Sequence, residues 1–143
     1  MLVKDIMTRN VVTVTPDTLL KDLVKVLKEH RINGVPVVDA EGILVGVITM
    51  TDLLKILKDI NYWDTIEKLK PGLGLKDAFV EEKENATVGK KMTKQVSTVS
   101  EKDSVDHVLD LMCKHNIHTI PVVKEGKLIG VIGATDIATI SFL

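Results

Sequence analysis

The chain has 143 residues, 45% of them hydrophobic but only four aromatic, and its 19 basic and 20 acidic residues leave a net charge of −1. No basic excess marks a nucleic-acid footprint, the shortage of rings removes base-stacking platforms, and no apolar run of about 18 residues is present to span a membrane. The single Cys113 can make neither an internal disulfide nor a cysteine metal cage, so a reducing, cytoplasmic setting is expected.

The opening MLVKDIMTRN carries charges where a secretory leader needs its apolar stretch. Thr15 followed by Pro16 predicts an N-cap with proline at the first helical position. The helix after it places Leu20, Leu23, Val24 and Leu27 on one face. Two strands follow around a glycine turn in VPVVDAEGILVGVIT, so rich in Val, Ile and Leu that both faces are expected to be covered. Asp52 then opens a second helix through LLKILKDI.

The middle of the chain holds Tyr62 and Trp63, the break Pro71-Gly72-Leu73-Gly74 and the charged run Glu81-Glu82-Lys83-Glu84. This composition predicts the rest of a helix, a turn and a second amphipathic piece. The two rings are expected to pack over the edge of the core.

Beyond it the chain repeats itself. At an offset of 85, Met7-Thr8 falls on Met92-Thr93, Thr13-Val14 on Thr98-Val99, His30 on His115 and Pro36-Val37-Val38 on Pro121-Val122-Val123. One residue is lost in the turn, and GVITMTD (Gly46 to Asp52) then meets GVIGATD (Gly130 to Asp136) at an offset of 84. In the second copy Ser100 is the expected cap, with Asp103 three residues on. Val105, Val108, Leu109 and Met112 form the apolar helix face, and Asp136 opens the last helix. The repeat dictates the organisation: 1–60 as the first copy, 61–87 as a linker with an amphipathic helical segment, and 88–143 as the second. Neither copy is large enough to bury a comfortable core by itself, whereas two together could share one.

The order MT, TV, helix, P-V-V, then G-h-h-T-x-x-D with h apolar resembles the cystathionine-β-synthase (CBS) domain, and the chain resembles a tandem pair of them. The resemblance implies an α/β (α+β) fold: two pseudo-symmetric βαββα repeats packed through their sheets into one module. It also implies a non-catalytic sensor that binds an adenine nucleotide (AMP, ADP or ATP) in clefts between the repeats and signals to a partner. No tightly bound cofactor is implied, and such modules commonly pair into homodimers. In the family each cleft joins the pre-proline segment of one repeat to the aspartate of the other. Carried onto this sequence, the ligand-binding residues are Thr13, Arg31, Asn33, Gly34, Val35, Pro36, Thr49, Thr51 and Asp52. Their counterparts are Thr98, His118, Thr119, Ile120, Pro121, Thr135 and Asp136.

The residue types suit that chemistry. A fixed carboxylate can accept hydrogen bonds from both vicinal hydroxyls of a ribose. A helix N-terminus offers free N–H groups and partial positive charge to a phosphate. The threonine hydroxyls can add contacts, and Arg31 presents a planar fork suited to phosphate oxygens. At His118 the charge is conditional, since a nearby phosphate favours protonation and strengthens binding as pH falls. Because Gly133 stands where the first copy has Thr49, the site at Asp52 is expected to be the tighter one.

Asp52 and Asp136 also fit as plain helix caps, a role compatible with ligand binding. The glycines read as turn and packing residues, His30 and His115 as partners of helix C-termini, and Cys113 as a surface bystander. No nucleophile–base pair or metal-spaced cluster points to an enzyme. The competing readings are an interaction or dimerisation scaffold with degenerate clefts, and a binder of S-adenosylmethionine or of ions.

Overall fold

The computed structural model describes residues 1–74, 77 and 85–143. In chain order its elements are helices α1 (Val3–Ile6) and α2 (Leu20–His30), strands β1 (Gly34–Val38) and β2 (Leu44–Thr49), and helix α3 (Met50–Leu69). Then come a single-turn α4 (Val88–Lys91), α5 (Val105–His115), strands β3 (Thr119–Lys124) and β4 (Lys127–Gly133), and helix α6 (Ala134–Phe142). The content is mixed helix and strand, as the repeat pattern predicts. The run Glu81 to Glu84 and the expected second amphipathic piece lie outside the described residues, apart from Asp77.

Turns stand where the sequence predicts the caps of α2 and α5. Thr18 N–H donates to the Thr15 carbonyl at 3.1 Å, and Thr15 N–H donates to Thr18 Oγ1 at 3.2 Å. Pro16 thus occupies the second position of a four-residue turn, where its fixed φ fits. The helix itself starts at Leu20, so the expectation of Thr15 as its cap is corrected. In the second copy Asp103 N–H donates to the Ser100 carbonyl at 3.0 Å, and Asp103 Oδ2 accepts from Ser100 N–H at 2.8 Å. Ser104, not Ser100, is the N-cap of α5, accepting from His107 N–H at 3.1 Å.

The apolar helix faces are as expected for three of the four positions in the first copy: Leu20, Leu23 and Leu27 are buried, while Val24 is exposed. In the second copy Val108 and Met112 are buried, and Leu109, the equivalent of Val24, is exposed. The strands pair into two two-stranded sheets, β1–β2 and β3–β4. The β3–β4 pair is antiparallel, with Ile120 opposite Ile132 and Val122 opposite Gly130. Consecutive residues Val35, Pro36 and Val37 in β1, and Ile120, Pro121 and Val122 in β3, are all buried, as strands covered on both faces require. The second strand of each pair instead alternates, burying Gly46 and Ile48 in one and Gly130 and Ile132 in the other.

The chain divides into two compact units that do not follow chain order. Unit 1 is Met1–Thr13, Val38–Val45 and Gln95–Leu143; unit 2 is Val14–Val37 and Gly46–Lys94. In unit 1 the opening segment joins the body of the second repeat through bridges Leu2 to Ser104 and Thr8 to Val131. Its core holds Val3, Val99, Val108, Met112, Ile120, Val122, Ile132 and Ile137. In unit 2 the segment around α4 joins the body of the first repeat by the equivalent bridges, Leu19 to Thr87 and Val47 to Thr93. Each repeat therefore surrenders its first segment to the body of the other. Two glycines make this exchange possible. A Cβ on Gly46 would lie 2.7 Å from the Thr93 carbonyl oxygen, and one on Gly130 would lie 2.8 Å from that of Thr8. Only a residue without a side chain lets the borrowed segment pair so closely.

Candidate functional site

Each unit brings a pre-proline segment to the start of a helix. In unit 2, Met50 N–H donates to the Asn33 carbonyl at 2.7 Å; in unit 1, Ala134 N–H donates to the His118 carbonyl at the same 2.7 Å. These positions are equivalent in the repeat, so one local geometry is built twice. The contact runs inside one repeat in both cases. The two backbone donors responsible, Met50 and Ala134, were not among the residues singled out from the sequence. Their signal was available only as position, the second residue after the repeated G-h-h motif.

Asp52 and Asp136 are the third residues of α3 and α6, not the capping residues, which are Thr49 and Gly133. Asp52 nonetheless serves the cap: its Oδ2 accepts from Thr49 N–H at 2.9 Å and from Thr49 Oγ1–H at 3.3 Å. Asp136 makes no side-chain cap bond, and among the described residues its carboxylate has no hydrogen-bond or ion-pair partner. Both side chains are partly exposed. The first-turn amides beside each carboxylate have no acceptor within their helix, so donors and an acceptor lie side by side.

Unit 2 contains, together with Asp52, the residues Arg31, Asn33, Gly34, Val35, Pro36, Thr49 and Thr51. Arg31 is the C-cap of α2 in a left-handed conformation, φ 54° and ψ 47°, and its exposed guanidinium has no ion pair among the described residues. Asn33 and Thr51 are exposed. Gly34 packs so closely on Thr49 that a Cβ there would sit 3.0 Å from Thr49 Cγ2. The side chains of Val35 and Pro36 are buried in the core, leaving their backbone as the part that could meet a ligand.

Unit 1 gathers Thr13, Thr98, His118, Thr119, Ile120, Pro121, Thr135 and Asp136. His118, Thr119, Thr98 and Thr135 are exposed, Thr13 is half-buried, and Ile120 and Pro121 are core residues. His30, expected at a helix end, directs Nδ1 to the Val26 carbonyl at 3.0 Å in the last turn of α2. Tyr62 and Trp63 make an edge-on ring contact, 5.4 Å between centroids, with Tyr62 60% exposed and Trp63 half-buried; one ring of the pair faces water, not the core edge. Among the described residues no group of three or more His, Cys, Asp or Glu could hold a metal ion, and no helix is long and apolar enough to cross a membrane.

The family model of the CBS domain matches residues 3–59 and 87–142. Among curated proteins, L-aspartate semialdehyde sulfurtransferase of Methanocaldococcus jannaschii is 33% identical over 96% of this chain, which spans 22% of that enzyme. An uncharacterized protein of the same organism is 34% identical, with 96% of this chain and 89% of that protein aligned. Among solved structures, the CBS domain pair of protein MJ0100, in complex with 5′-methylthioadenosine and S-adenosyl-L-methionine, superposes with a TM-score of 0.75 at 31% identity, covering 99% of this chain and 95% of that one. CBSX2 in complex with AMP superposes with a TM-score of 0.78 at 26% identity, over 98% of this chain and 95% of that one.

Proposed function

The chain belongs to the CBS domain family, and on that premise we propose that it is a non-catalytic sensor module, binding an adenosyl ligand at Asp52 and at Asp136 and passing the change to a partner protein. The observation that carries this reading is the duplicated geometry. Both repeats tie a pre-proline carbonyl to the first helical amide at 2.7 Å and set a carboxylate at the third helical residue. A carboxylate of that kind accepts ribose hydroxyls, while the adjoining helix N-terminus and Arg31 or His118 receive phosphate. Thr51 and Thr135 add exposed hydroxyls, and the backbone around Gly34, Val35, Thr119 and Ile120 reads the base. Complexes of CBS pairs with AMP and with S-adenosylmethionine support the ligand class. Within that class we place AMP, ADP or ATP first, because Arg31, two residues before Asn33, is exposed and has no ion pair among the described residues.

The module in this reading is a cytoplasmic homodimer. Val24 and Leu109, at equivalent helix positions, are 45% and 40% exposed, and in unit 2 Leu20, Val24, Leu53, Ile56 and Leu57 line an apolar groove of about 450 Å³. Light scattering at micromolar concentration is expected to give twice 15.8 kDa; a stable monomer removes the dimer from the proposal. For the ligand, melting curves with AMP, ADP, ATP, S-adenosylmethionine and 5′-methylthioadenosine are the direct test. A ligand at a hundred times its Kd stabilises by about 2.7 kcal/mol, and a panel with no shift refutes the proposal.

A further inference from the structure

We infer that the residue before each helix, Thr49 in one repeat and Gly133 in the other, decides how fully the neighbouring aspartate can read a ribose, and that Asp136 is the more selective diol reader. This rests on the adenosyl-ligand reading above and assigns the two sites different selectivities within it.

The asymmetry begins in the lone pairs. An ionised carboxylate only accepts, about two hydrogen bonds per oxygen. Asp52 Oδ2 already accepts two, the N–H and the hydroxyl of Thr49 at 2.9 and 3.3 Å. One oxygen, Oδ1, is left to receive a ligand. The Thr49 hydroxyl has a single proton and has placed it on Asp52, so it can only accept from a ligand and cannot donate to a phosphate oxygen without breaking the cap. Asp136 has no such partner among the described residues, which leaves both of its oxygens open to the two hydroxyls of a vicinal diol.

Gly133 supplies no hydroxyl to engage the carboxylate, and its backbone does not need to be glycine. Its φ of −107° and ψ of 150° are extended values that any residue adopts. It differs in this from Gly42 and Gly126, both at φ +82°, and from Gly46 and Gly130, which face a carbonyl oxygen at 2.7 and 2.8 Å. The nearest atom to a Cβ on Gly133 would be Asp136 Oδ2, at 3.3 Å, followed by the His118 carbonyl oxygen at 3.9 Å. The missing side chain therefore leaves space beside the carboxylate and the His118 carbonyl. That space is where a ligand hydroxyl fits in unit 1, and where the Thr49 side chain sits in unit 2. The motif alone predicts the tighter site at Asp52, through Thr49; selectivity toward the ribose diol is instead expected to be greater at Asp136.

Titration calorimetry of the whole chain with AMP and with 2′-deoxy-AMP tests this, using Asp52→Ala and Asp136→Ala to assign the binding events. Removing a hydroxyl that donates to an ionised group should weaken binding roughly tenfold to a hundredfold at the Asp136 event, and less at the Asp52 event. Gly133→Thr should collapse the larger ratio toward the smaller, and Thr49→Val, which keeps the bulk and removes the hydroxyl, should raise the smaller one. Gly133→Ala gives the same direction with less bulk should the threonine variant fail to fold, as judged by circular dichroism. Equal ratios at the two events, a larger ratio at Asp52, or ratios indifferent to residues 49 and 133 would overturn this inference while leaving the sensor reading intact. Absence of binding by AMP, S-adenosylmethionine and 5′-methylthioadenosine alike would overturn both.

Discussion

At the start of α3 the aspartate is engaged with Thr49 in holding the helix end, whereas at the start of α6 its equivalent makes no such bond among the described residues, and Gly133 supplies no hydroxyl. The two heptapeptides differ at only two positions, and one of those differences redistributes the work of an identical residue. A repeated motif therefore fixes where a carboxylate stands without fixing what it is free to bind. Other equivalent positions of the two copies differ in the same way, and paired substitutions there measure how alike the copies are.

The largest effects belong in the core. Leu23 and Val108 occupy equivalent helix positions and both are fully buried. Leu23→Ala should cost about 2–5 kcal/mol in urea unfolding, and Val108→Ala about 1–3 kcal/mol, in proportion to the carbon removed. Equal costs would mean that the two helices are not seated alike.

Next come the glycines under the exchanged segments. Gly46→Ala and Gly130→Ala should each destabilise by about 1–3 kcal/mol, since the new methyl meets a backbone oxygen that cannot turn away. Gly46 should be the more sensitive, because Met92 Sδ also lies 2.8 Å from its Cβ position, against 3.2 Å for Met7 Sδ at Gly130. Neutral substitutions would argue against the reciprocal exchange of opening segments.

The aspartates should separate by stability as well as by ligand. Asp52→Ala removes a helix cap and should cost about 0.5–2 kcal/mol without ligand, whereas Asp136→Ala should change stability by less than about 0.5 kcal/mol. A cost at Asp136 matching that at Asp52 would contradict the account of Gly133. The smallest effect concerns the left-handed residues that end α2 and α5, Arg31 and Asn116. Arg31→Gly should stabilise by about 0.5–1 kcal/mol by relieving φ 54°, and Asn116→Gly by only a few tenths, since asparagine tolerates that conformation. A gain at Arg31 accompanied by weaker AMP binding would be the signature of a residue kept for its charge.

Much of this was legible in the sequence. The repeat announced the helix–strand–strand–helix run of each copy, but not the single-turn helices α1 and α4 that open them. The short first strands it predicted are only isolated bridges at Val14 and Val99. The apolar helix stripes picked out Leu20, Leu23, Leu27, Val108 and Met112, and the family resemblance holds along both copies. Three things were hidden, each for a physical reason. Thr15 and Ser100 have cap chemistry but sit several residues before the helices they seemed to start, because hydroxyl and carboxylate side chains close turns by the same bonds with which they cap helices. The exchange of opening segments was invisible because Met7-Thr8 and Met92-Thr93 are alike, and a short bridging segment carries no label for its partner. The state of Asp52 was hidden because whether a threonine donates to a neighbouring carboxylate depends on side-chain geometry, which spacing does not specify.

The central claim is that Asp52 and Asp136 hold adenosyl ligands, and the most direct test compares AMP titrations of the wild-type chain and the Asp52→Ala/Asp136→Ala double variant. The account predicts saturable binding by the wild type and its loss in a double variant whose circular dichroism still shows the mixed helix-and-strand fold. Undiminished AMP binding by the folded double variant would contradict it.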